Sequence, residues 1–527
     1  MDAVGGKWLK ESFKLRLVQP LRVESYIARS RKTITTLAHK EQYFPESFRP
    51  DPSISGHLTF MFKHEEIHLE LLARLFDAID PVHLEEWVRR ESTGSYARRS
   101  GFFFEWLSGR RLDVDDVTQG NYVDALDPAQ YFTAAQINQV RRWRVRDNMP
   151  GSPAFCPVVV LSEQVRSTQD YDCKTALLGL EQEFGADLLL RSSVWLTIKE
   201  SRASFAIEHE EDQDDRIKRF AMVMEHLCGE IPNPLSLPDL EGLQKEILGE
   251  NSLSYGVRKS PVFVGHYAGY RNVVDYIAPH WESAPLLLAG LSASLSRTKG
   301  HAPILRATIA SFGFVYIHPM SDGNGRISRF LVNDILRRDG AVPKPFILPI
   351  SATITHSSSA RVGYDQSLEV FSKPLMKQYT SNYRFADSQT YEDGVDSNFH
   401  FDAYEDAAYA WRYPNLTSHV EYMGKVIKQT IEEEMHNEAL YIRNIHRARV
   451  ALKQIMEGPD PLLDTIISSV WQNKQLSKAL RKRFPILDNE ERAARIVNAI
   501  TNAFRDNLSK AALNGEDEDN ESVGLSK

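Results

Sequence analysis

Apolar residues recur every three or four positions along most of this chain, which is the spacing of one buried face of a helix. In the N-terminal part, which we predict to be mostly helical, the stripe is clear at Ile67, Leu71 and Leu75. Towards the other end it covers 462–471 and 493–503. These patterns predict a mainly α-helical protein.

Two short runs rich in β-branched and aromatic residues interrupt the helical pattern. The runs 261–265 and 273–277 lie on either side of a segment that contains Gly269, so they predict a β-hairpin. A shorter apolar run at 156–161 is consistent with one further strand. The β content should therefore be small.

Changes in composition divide the chain. Proline and glycine between Asp147 and Pro157 predict a linker, and a helical pattern then runs from Thr175 to His209 with a break at Gly185. Residues 376–395 are polar and rich in turn formers. The predicted domains are an N-terminal helical domain at 1–150, a core at 175–375, a C-terminal helical domain at 395–510 and a disordered acidic tail at 511–527.

Composition excludes several classes of protein. Lys and Arg number 63 against 71 Asp and Glu, a net charge of −8, which disfavours nucleic acid as a partner. Three scattered cysteines indicate reduced thiols, and no signal peptide or membrane-spanning run of about 20 apolar residues is visible. We expect a cytoplasmic protein without a membrane partner. Its oligomeric state stays open, homo-oligomers included.

One stretch carries most of the chemistry. Gly323 and Gly325 lie on either side of Asn324 directly before an amphipathic run, and Gly340 lies where that helix should end. A glycine-rich turn at a helix N-terminus presents free backbone N–H groups and a positive dipole, which bind anions. The stretch is therefore predicted to bind phosphate groups.

The charged residues of this stretch fit the same chemistry. Arg326 and Arg329 are one helical turn apart and carry forked donors suited to phosphate oxygens. Asp322 is a hard oxygen ligand of the kind that binds Mg²⁺. His318 is the one side chain here that can accept a proton near neutral pH. An EF-hand, a dinucleotide-binding turn and a P-loop each require residues that this stretch lacks.

Residues 318–329 resemble the signature of the Fic family, HxFx[D/E]GNGRxxR, with Met320 at the usual Phe position. The resemblance implies a Fic fold with a small β-hairpin flap, flanked by helical domains. It also implies transfer of AMP from ATP, with Mg²⁺, to a Ser, Thr or Tyr hydroxyl of a target protein. The implied roles are catalytic base for His318, metal binding for Asp322, and nucleotide binding for Gly323, Asn324, Gly325, Arg326 and Arg329.

A second stretch resembles the Fic inhibitory motif, [S/T]xxxE[G/N]. Here Ser204 and Glu208 match, whereas His209 departs from the pattern. The motif lies near the end of a predicted helix at 190–210, upstream of the signature, as in one class of these proteins. The resemblance implies that Glu208 pairs with Arg329 and blocks the γ-phosphate site.

The hairpin at 261–277 resembles the Fic flap, whose edge strand binds the target segment by main-chain pairing. That role falls on the second run, namely Val273, Val274, Asp275 and Tyr276. Flanking sequence is similar to long bacterial Fic proteins.

Three alternatives stay open. Glu208 could position a water that removes AMP, the nucleotide could be another than ATP, or the domain could bind without catalysis. Separately, His64-Glu65-Glu66-Ile67-His68 matches the HExxH pattern of zinc peptidases, but only three positions of that pattern are fixed, and we interpret the segment as a charged helix face.

Overall fold

The computed structural model describes residues 1–36, 39–208, 210, 214–251, 254–269 and 271–505. Helices dominate this part of the chain, as predicted. The α-helices are Gly5–Ser12, Ile54–His64, Leu69–Ala78, Val82–Arg90, Ser95–Ser108, Glu163–Asp170, Cys173–Phe184, Ala186–Ile207, Asp214–Leu227, Leu237–Leu248, Ala284–Arg297, Pro303–Ile317, Asn324–Arg338, Ile350–His356, Ser358–Tyr379, Tyr404–Arg412, Thr417–Gln429, His436–Lys453, Asp460–Asn473, Lys478–Arg483 and Glu490–Ala503.

The strands form small, separate sheets. Four strands pair in the order Asp2–Val4, Val23–Ile27, Lys40–Phe44 and Lys32–Thr35, and three pair in the order Val123–Asp124, Val145–Asp147 and Asn138–Val140. Two antiparallel hairpins complete the set. The first, Phe263–Ala268 with Arg271–Ile277, is the predicted flap, and the second is Tyr383–Thr390 with Asp396–Phe401.

The described chain divides into two compact units. The first contains residues 1–171, 201–342 and 350–427, and the second contains 172–200, 343–349 and the described residues from Lys428 onward. In the first unit the helix Pro303–Ile317 is buried almost all round and packs against Asn324–Arg338. This helix pair carries the signature loop between its members. The domain boundaries derived from the sequence remain a prediction.

Four local predictions were wrong. The run 156–161 does not form a strand and carries only isolated bridges, at Val158 and Val160. The N-terminal 150 residues include the four-stranded and three-stranded sheets, whose short strands carry too few residues for a period-2 pattern to stand out. Residues Asn148–Gly151 are buried, so the Pro/Gly segment is part of the core and does not form a linker. The polar run 376–395 contains the first strand of the second hairpin, Tyr383–Thr390, and the turn that follows it. The predicted tail at 511–527 lies outside the described residues.

The HExxH pattern does not lie on one helix. Ile54–His64 ends at His64, whose ring contacts the rings of Phe44 and Phe60, and the chain is extended at Glu65. His68 caps the next helix, with Nδ1 accepting from Leu71 N at 3.1 Å and Nε2 bonded to Gln19 O at 3.0 Å. Both nitrogens of His68 are therefore used. No cluster of three metal-binding side chains occurs among the described residues.

The break predicted at Gly185 is confirmed, since Cys173–Phe184 ends there and Ala186–Ile207 follows. None of the helices described is long and apolar enough to span a bilayer.

Candidate active site

The signature loop begins where a helix ends in a left-handed residue. His318 closes Pro303–Ile317 with φ +47°, a region that costs a non-glycine residue about 1 kcal/mol or more. Gly323, at φ +85°, then starts Asn324–Arg338, where lack of a Cβ makes this conformation easy. Gly340 follows the helix at φ +72°, as predicted. The loop is therefore a tight link between two buried helices.

Met320 and Asn324 hold the loop closed. Asn324 accepts from Met320 N at 2.9 Å through Oδ1 and donates to Met320 O at 2.8 Å through Nδ2. Met320 is completely buried, so an apolar residue in place of Phe keeps the loop anchored. Because the side chain of Asn324 is engaged inside the loop, its backbone is the part left to contact a nucleotide.

The imidazole of His318 is held in its neutral form. Its Nδ1 lies 3.2 Å from Val315 O. Since a carbonyl only accepts, Nδ1 carries the hydrogen and Nε2 keeps a free lone pair. Burial, with a further effect of the Arg258 cation, lowers the pKa of His318 to about 4, against smaller opposing effects that include Glu208 and Asp322. At neutral pH the imidazole can therefore accept a proton.

Arg329 is bound by both residues of the predicted inhibitory motif. Its Nη2 donates to Glu208 Oε1 at 2.6 Å and its Nε to Ser204 Oγ at 2.6 Å. Nη2 also lies 3.1 Å from Ser204 O. Burial works to raise the pKa of Glu208, but Arg329 outweighs it, so the pKa is lowered and the carboxylate stays ionised. The predicted ion pair is thus present, and the side chain of Arg329 is 7% exposed.

Gly325 makes room for that carboxylate. A Cβ placed on Gly325 would overlap Glu208 Oε1. Any other residue here would push Glu208 away from Arg329. Because Gly325 has no side chain, one negatively charged group can approach the N-terminus of Asn324–Arg338 closely.

Arg326 has an acidic partner that the sequence did not reveal. Its Nη1 lies 3.1 Å from Glu210 Oε2, and its Nη2 donates to Asp322 Oδ1 at 2.9 Å. The Arg326 side chain is fully buried, and its guanidinium carbon lies 5.0 Å from the centre of the Phe205 ring. Glu210 follows the inhibitory motif by two positions, and a spacing pattern based on Ser204 and Glu208 alone does not reach it.

Asp322 fits the chemistry of an Mg²⁺ ligand. It is about half exposed, at 53% of its side chain, and also accepts from Gly323 N at 2.6 Å through Oδ1. Mg²⁺ on a polyphosphate commonly uses only one or two carboxylates of the protein, the rest of its ligands being phosphate oxygens and water. One exposed carboxylate beside an anion-binding turn is consistent with that pattern.

A cavity of about 410 Å³ brings most of these groups together, although the buried Arg326 does not line it. His318, Asp322, Glu208 and Arg329 line it, with Gly323, Asn324 and Gly325 along one wall and the flap residues Val264, Asp275 and Tyr276 along another. The cavity size suits a nucleotide-sized ligand.

The flap residues alternate between two faces. Val274 and Tyr276 are buried, and Tyr276 Oη donates to Tyr316 O. Val273 and Asp275 point outward, with Asp275 Oδ2 at 2.7 Å from His266 Nδ1. Within the described residues, Arg271–Ile277 pairs only with Phe263–Ala268. No strand in the described part of the chain pairs with its other edge.

Comparison with known proteins agrees with this arrangement. Residues 234–336, which contain the flap and the signature loop, match the model of the Fic/DOC family. The chain is 29% identical over 145 residues to protein adenylyltransferase fic-1 of Caenorhabditis briggsae, covering 27% of each chain. It is 30% identical over 138 residues to protein adenylyltransferase Fic of Aedes aegypti, covering 25% of this chain and 26% of the relative.

The matched segment therefore spans about a quarter of the length of these relatives. Among solved structures, a Fic family protein from Desulfovibrio desulfuricans G20 aligns with 61% of this chain and 93% of its own, at 16% identity and a TM-score of 0.37. The similarity to the Fic/DOC family model is thus confined to residues 234–336, the part of the chain that holds the flap and the signature loop.

Proposed function

We propose that this protein transfers AMP from ATP to a Ser, Thr or Tyr hydroxyl of a target protein, and that the described state is its inhibited form. The observation that carries the proposal is the ion pair between Glu208 and Arg329 inside the cavity that also holds His318. Similarity to proteins named adenylyltransferases supports the choice of reaction.

In this reaction the target hydroxyl attacks the α-phosphorus of ATP. Nε2 of His318 takes the hydroxyl proton, a bond forms between the target oxygen and the α-phosphorus, and the bond to pyrophosphate breaks. Backbone N–H groups at the start of Asn324–Arg338 would stabilise the phosphate oxygens as charge moves to the leaving group. Mg²⁺, held by Asp322, would neutralise part of the phosphate charge.

The two arginines are proposed to bind the β- and γ-phosphates. In the described state each is already paired with a carboxylate, Arg326 with Glu210 and Arg329 with Glu208. A triphosphate would have to displace those carboxylates, because two negatively charged groups repel each other and would compete for the same guanidinium N–H donors. This is the physical basis of the proposed inhibition.

Target binding is proposed at the unpaired edge of Arg271–Ile277. An extended segment added there would gain main-chain hydrogen bonds, as in other cases of strand addition. Asp275 and Tyr276 line the same cavity as His318, so a hydroxyl on the added segment would lie beside the base.

Intact-mass spectrometry tests the function. Wild type and Glu208→Gly are incubated with ATP and Mg²⁺, and a gain of one AMP by the variant alone is expected. A nucleotide adduct that forms only with UTP, GTP or CTP would show that this nucleotide, and not ATP, is the substrate. Removal of AMP from the modified variant by added wild type would instead indicate the reverse reaction, and no change in any arm, with or without candidate targets, would contradict an enzymatic role.

A further inference from the structure

Arg258 is a buried cation whose hydrogen bonds go to the backbone. It is 1% exposed. Its Nε donates to His318 O at 2.8 Å, its Nη1 to Ser260 O at 2.9 Å and its Nη2 to Pro279 O at 2.6 Å. Burial lowers the pKa of Arg258 to about 10, so the guanidinium still carries its charge at neutral pH.

The three carbonyls belong to three different parts of the site. His318 carries the proposed base, Ser260 precedes the first flap strand, and Pro279 follows the second. A planar guanidinium presents its donors in fixed directions, so one side chain sets the relative positions of all three backbone segments. Arg258 therefore joins the two ends of the flap to the loop of the base.

The backbone around Arg258 strengthens this link. Arg258 N donates to Pro319 O at 2.9 Å, and Val257 forms an antiparallel bridge with Met320. On the other side, Asp393 Oδ2 accepts from Lys259 N at 2.7 Å and from Ser260 Oγ at 2.8 Å. The segment is thus held from both sides, and a shift of Arg258 would be passed to the signature loop.

His318 needs such support because its backbone is left-handed at φ +47°. A residue in this conformation persists only when its surroundings hold it there. The bond from Arg258 Nε fixes the His318 carbonyl, and with it the direction in which the imidazole leaves the backbone. The other two bonds of His318, from N to Phe314 O at 2.8 Å and from Nδ1 to Val315 O, do not hold its carbonyl group.

We propose that Arg258 is a positioning residue, which sets the distance between His318 and the target segment bound on the flap. The inference rests on the proposed transfer reaction for its effect on rate, but the geometry it assigns is independent of that reaction. A misplacement of about 1 Å at a reacting centre can cost on the order of 100-fold in rate.

The charge of Arg258 has a second, separable effect on the base. The charged groups that act on His318 are Arg258, Glu208 and Asp322. The cavity that His318 lines also contains the titratable side chains of Asp275, Arg329 and Tyr364. A cation disfavours protonation of the imidazole, whereas the carboxylates favour it. Arg258→Lys keeps the positive charge but loses the planar set of N–H donors, whereas Arg258→Met loses both the charge and the donors.

The test uses the full chain with Glu208→Gly as background. The rate of AMP incorporation at saturating ATP, and the ATP concentration for half that rate, are measured for Arg258→Lys and Arg258→Met. Arg98→Lys is the matched control, because Arg98 is also buried and donates to the backbone carbonyls of Asn121 and Arg144. We expect Arg258→Lys to lose about tenfold or more in rate, with the half-saturating ATP concentration unchanged and the control unaffected.

An NMR titration of the His318 ring, assigned with His318→Ala, gives a readout that does not require activity. The ring resonance should move in both Arg258 variants, and the pKa should rise towards 6.5 only in Arg258→Met. A folded Arg258→Lys with unchanged rate and unchanged His318 resonance would overturn the inference, as would equal losses in Arg98→Lys. If Arg258→Met does not fold, Arg258→Lys decides. Absence of transfer in the background variant itself would count against the proposed function, while the ring resonance would still decide the positioning role.

Discussion

Glu210 binds Arg326 at 3.1 Å, just as Glu208 binds Arg329 at 2.6 Å two residues earlier in the chain. The backbone N–H groups of both glutamates donate to Phe205 O at 3.0 Å. One turn at the end of Ala186–Ile207 therefore supplies a carboxylate to each arginine of the signature. In the proposed inhibition, the two carboxylates would therefore act together.

Glu208→Gly should raise the initial rate of AMP incorporation by about tenfold or more, because a hydrogen bond to a charged partner is worth about 1.5–3 kcal/mol. The substitution frees Arg329 for the γ-phosphate. Labelling with ATP carrying a radioactive α-phosphate measures the rate. Glu225→Gln, an exposed glutamate on Asp214–Leu227, is the control and should leave the rate unchanged. An unchanged rate in Glu208→Gly would remove Glu208 from the inhibitory role.

Glu210→Gln should also raise the rate, but by less than Glu208→Gly. Arg326 keeps its bond to Asp322 at 2.9 Å when Glu210 loses its charge, so only part of the restraint is released. The ATP concentration for half-maximal labelling should fall. A larger effect than that of Glu208→Gly would mean that Glu210, and not Glu208, is the main barrier to ATP.

Gly325→Ala should have opposite effects on stability in two backgrounds. In wild type the added methyl group overlaps Glu208, so the free energy of unfolding should fall by about 1 kcal/mol or more. In Glu208→Gly the overlap with Glu208 is absent, and the Arg329 side chain, whose Nη1 would lie 3.1 Å from the added Cβ, is free to shift. Alanine within a helix should then stabilise by about 0.5–1 kcal/mol. Urea unfolding of the four proteins measures this double-mutant cycle. Equal effects in both backgrounds would show that the two side-chain positions do not meet.

The pH dependence of transfer should lack a histidine transition near 6.5. Because the pKa of His318 is lowered to about 4, the ring stays unprotonated down to acidic pH and the rate is lost only as pH falls through that value. Between pH 7.5 and 5.5 the Glu208→Gly variant should therefore keep its rate, whereas a histidine of ordinary pKa would lose about tenfold. A fall of that size would contradict the lowered pKa.

His318→Ala in the Glu208→Gly background should reduce transfer by about 100-fold to 10,000-fold, the usual contribution of a general base. ATP binding should persist, since Arg326 and Arg329 are unchanged. Comparing the labelling rate with the ATP affinity from calorimetry separates the two. Transfer at the full rate would exclude His318 as the base.

The sequence was most informative where chemistry requires neighbouring residues. The signature residues 318–329 are adjacent in the chain, so their number and spacing were enough to predict a phosphate-binding turn with its own base. The pairing of Glu208 with Arg329 spans 121 positions and was reached only through resemblance to a family.

Other features could not be predicted for physical reasons. Arg258 lies 60 positions from His318, and a lone arginine before a hairpin has no local pattern that indicates bonds to distant carbonyls. The pairing of Glu210 with Arg326 could not be predicted, because Glu210 lies beyond the end of a helix and the spacing rules for helical side chains do not apply there. The second hairpin is polar on its exposed positions, and its stabilising contacts, such as Phe263 with Phe399, are tertiary.

The space beside Gly325 has a consequence for how the protein would respond to its surroundings. In the proposed function, a carboxylate and a triphosphate that use the same donors would form two mutually exclusive populations. The apparent ATP affinity would then be the intrinsic affinity multiplied by the fraction of molecules in which Glu208 is displaced. A shift of that equilibrium by about 1.4 kcal/mol changes the apparent affinity about tenfold. Any partner that binds preferentially to the form with Glu208 displaced would then raise the apparent ATP affinity without contacting the nucleotide.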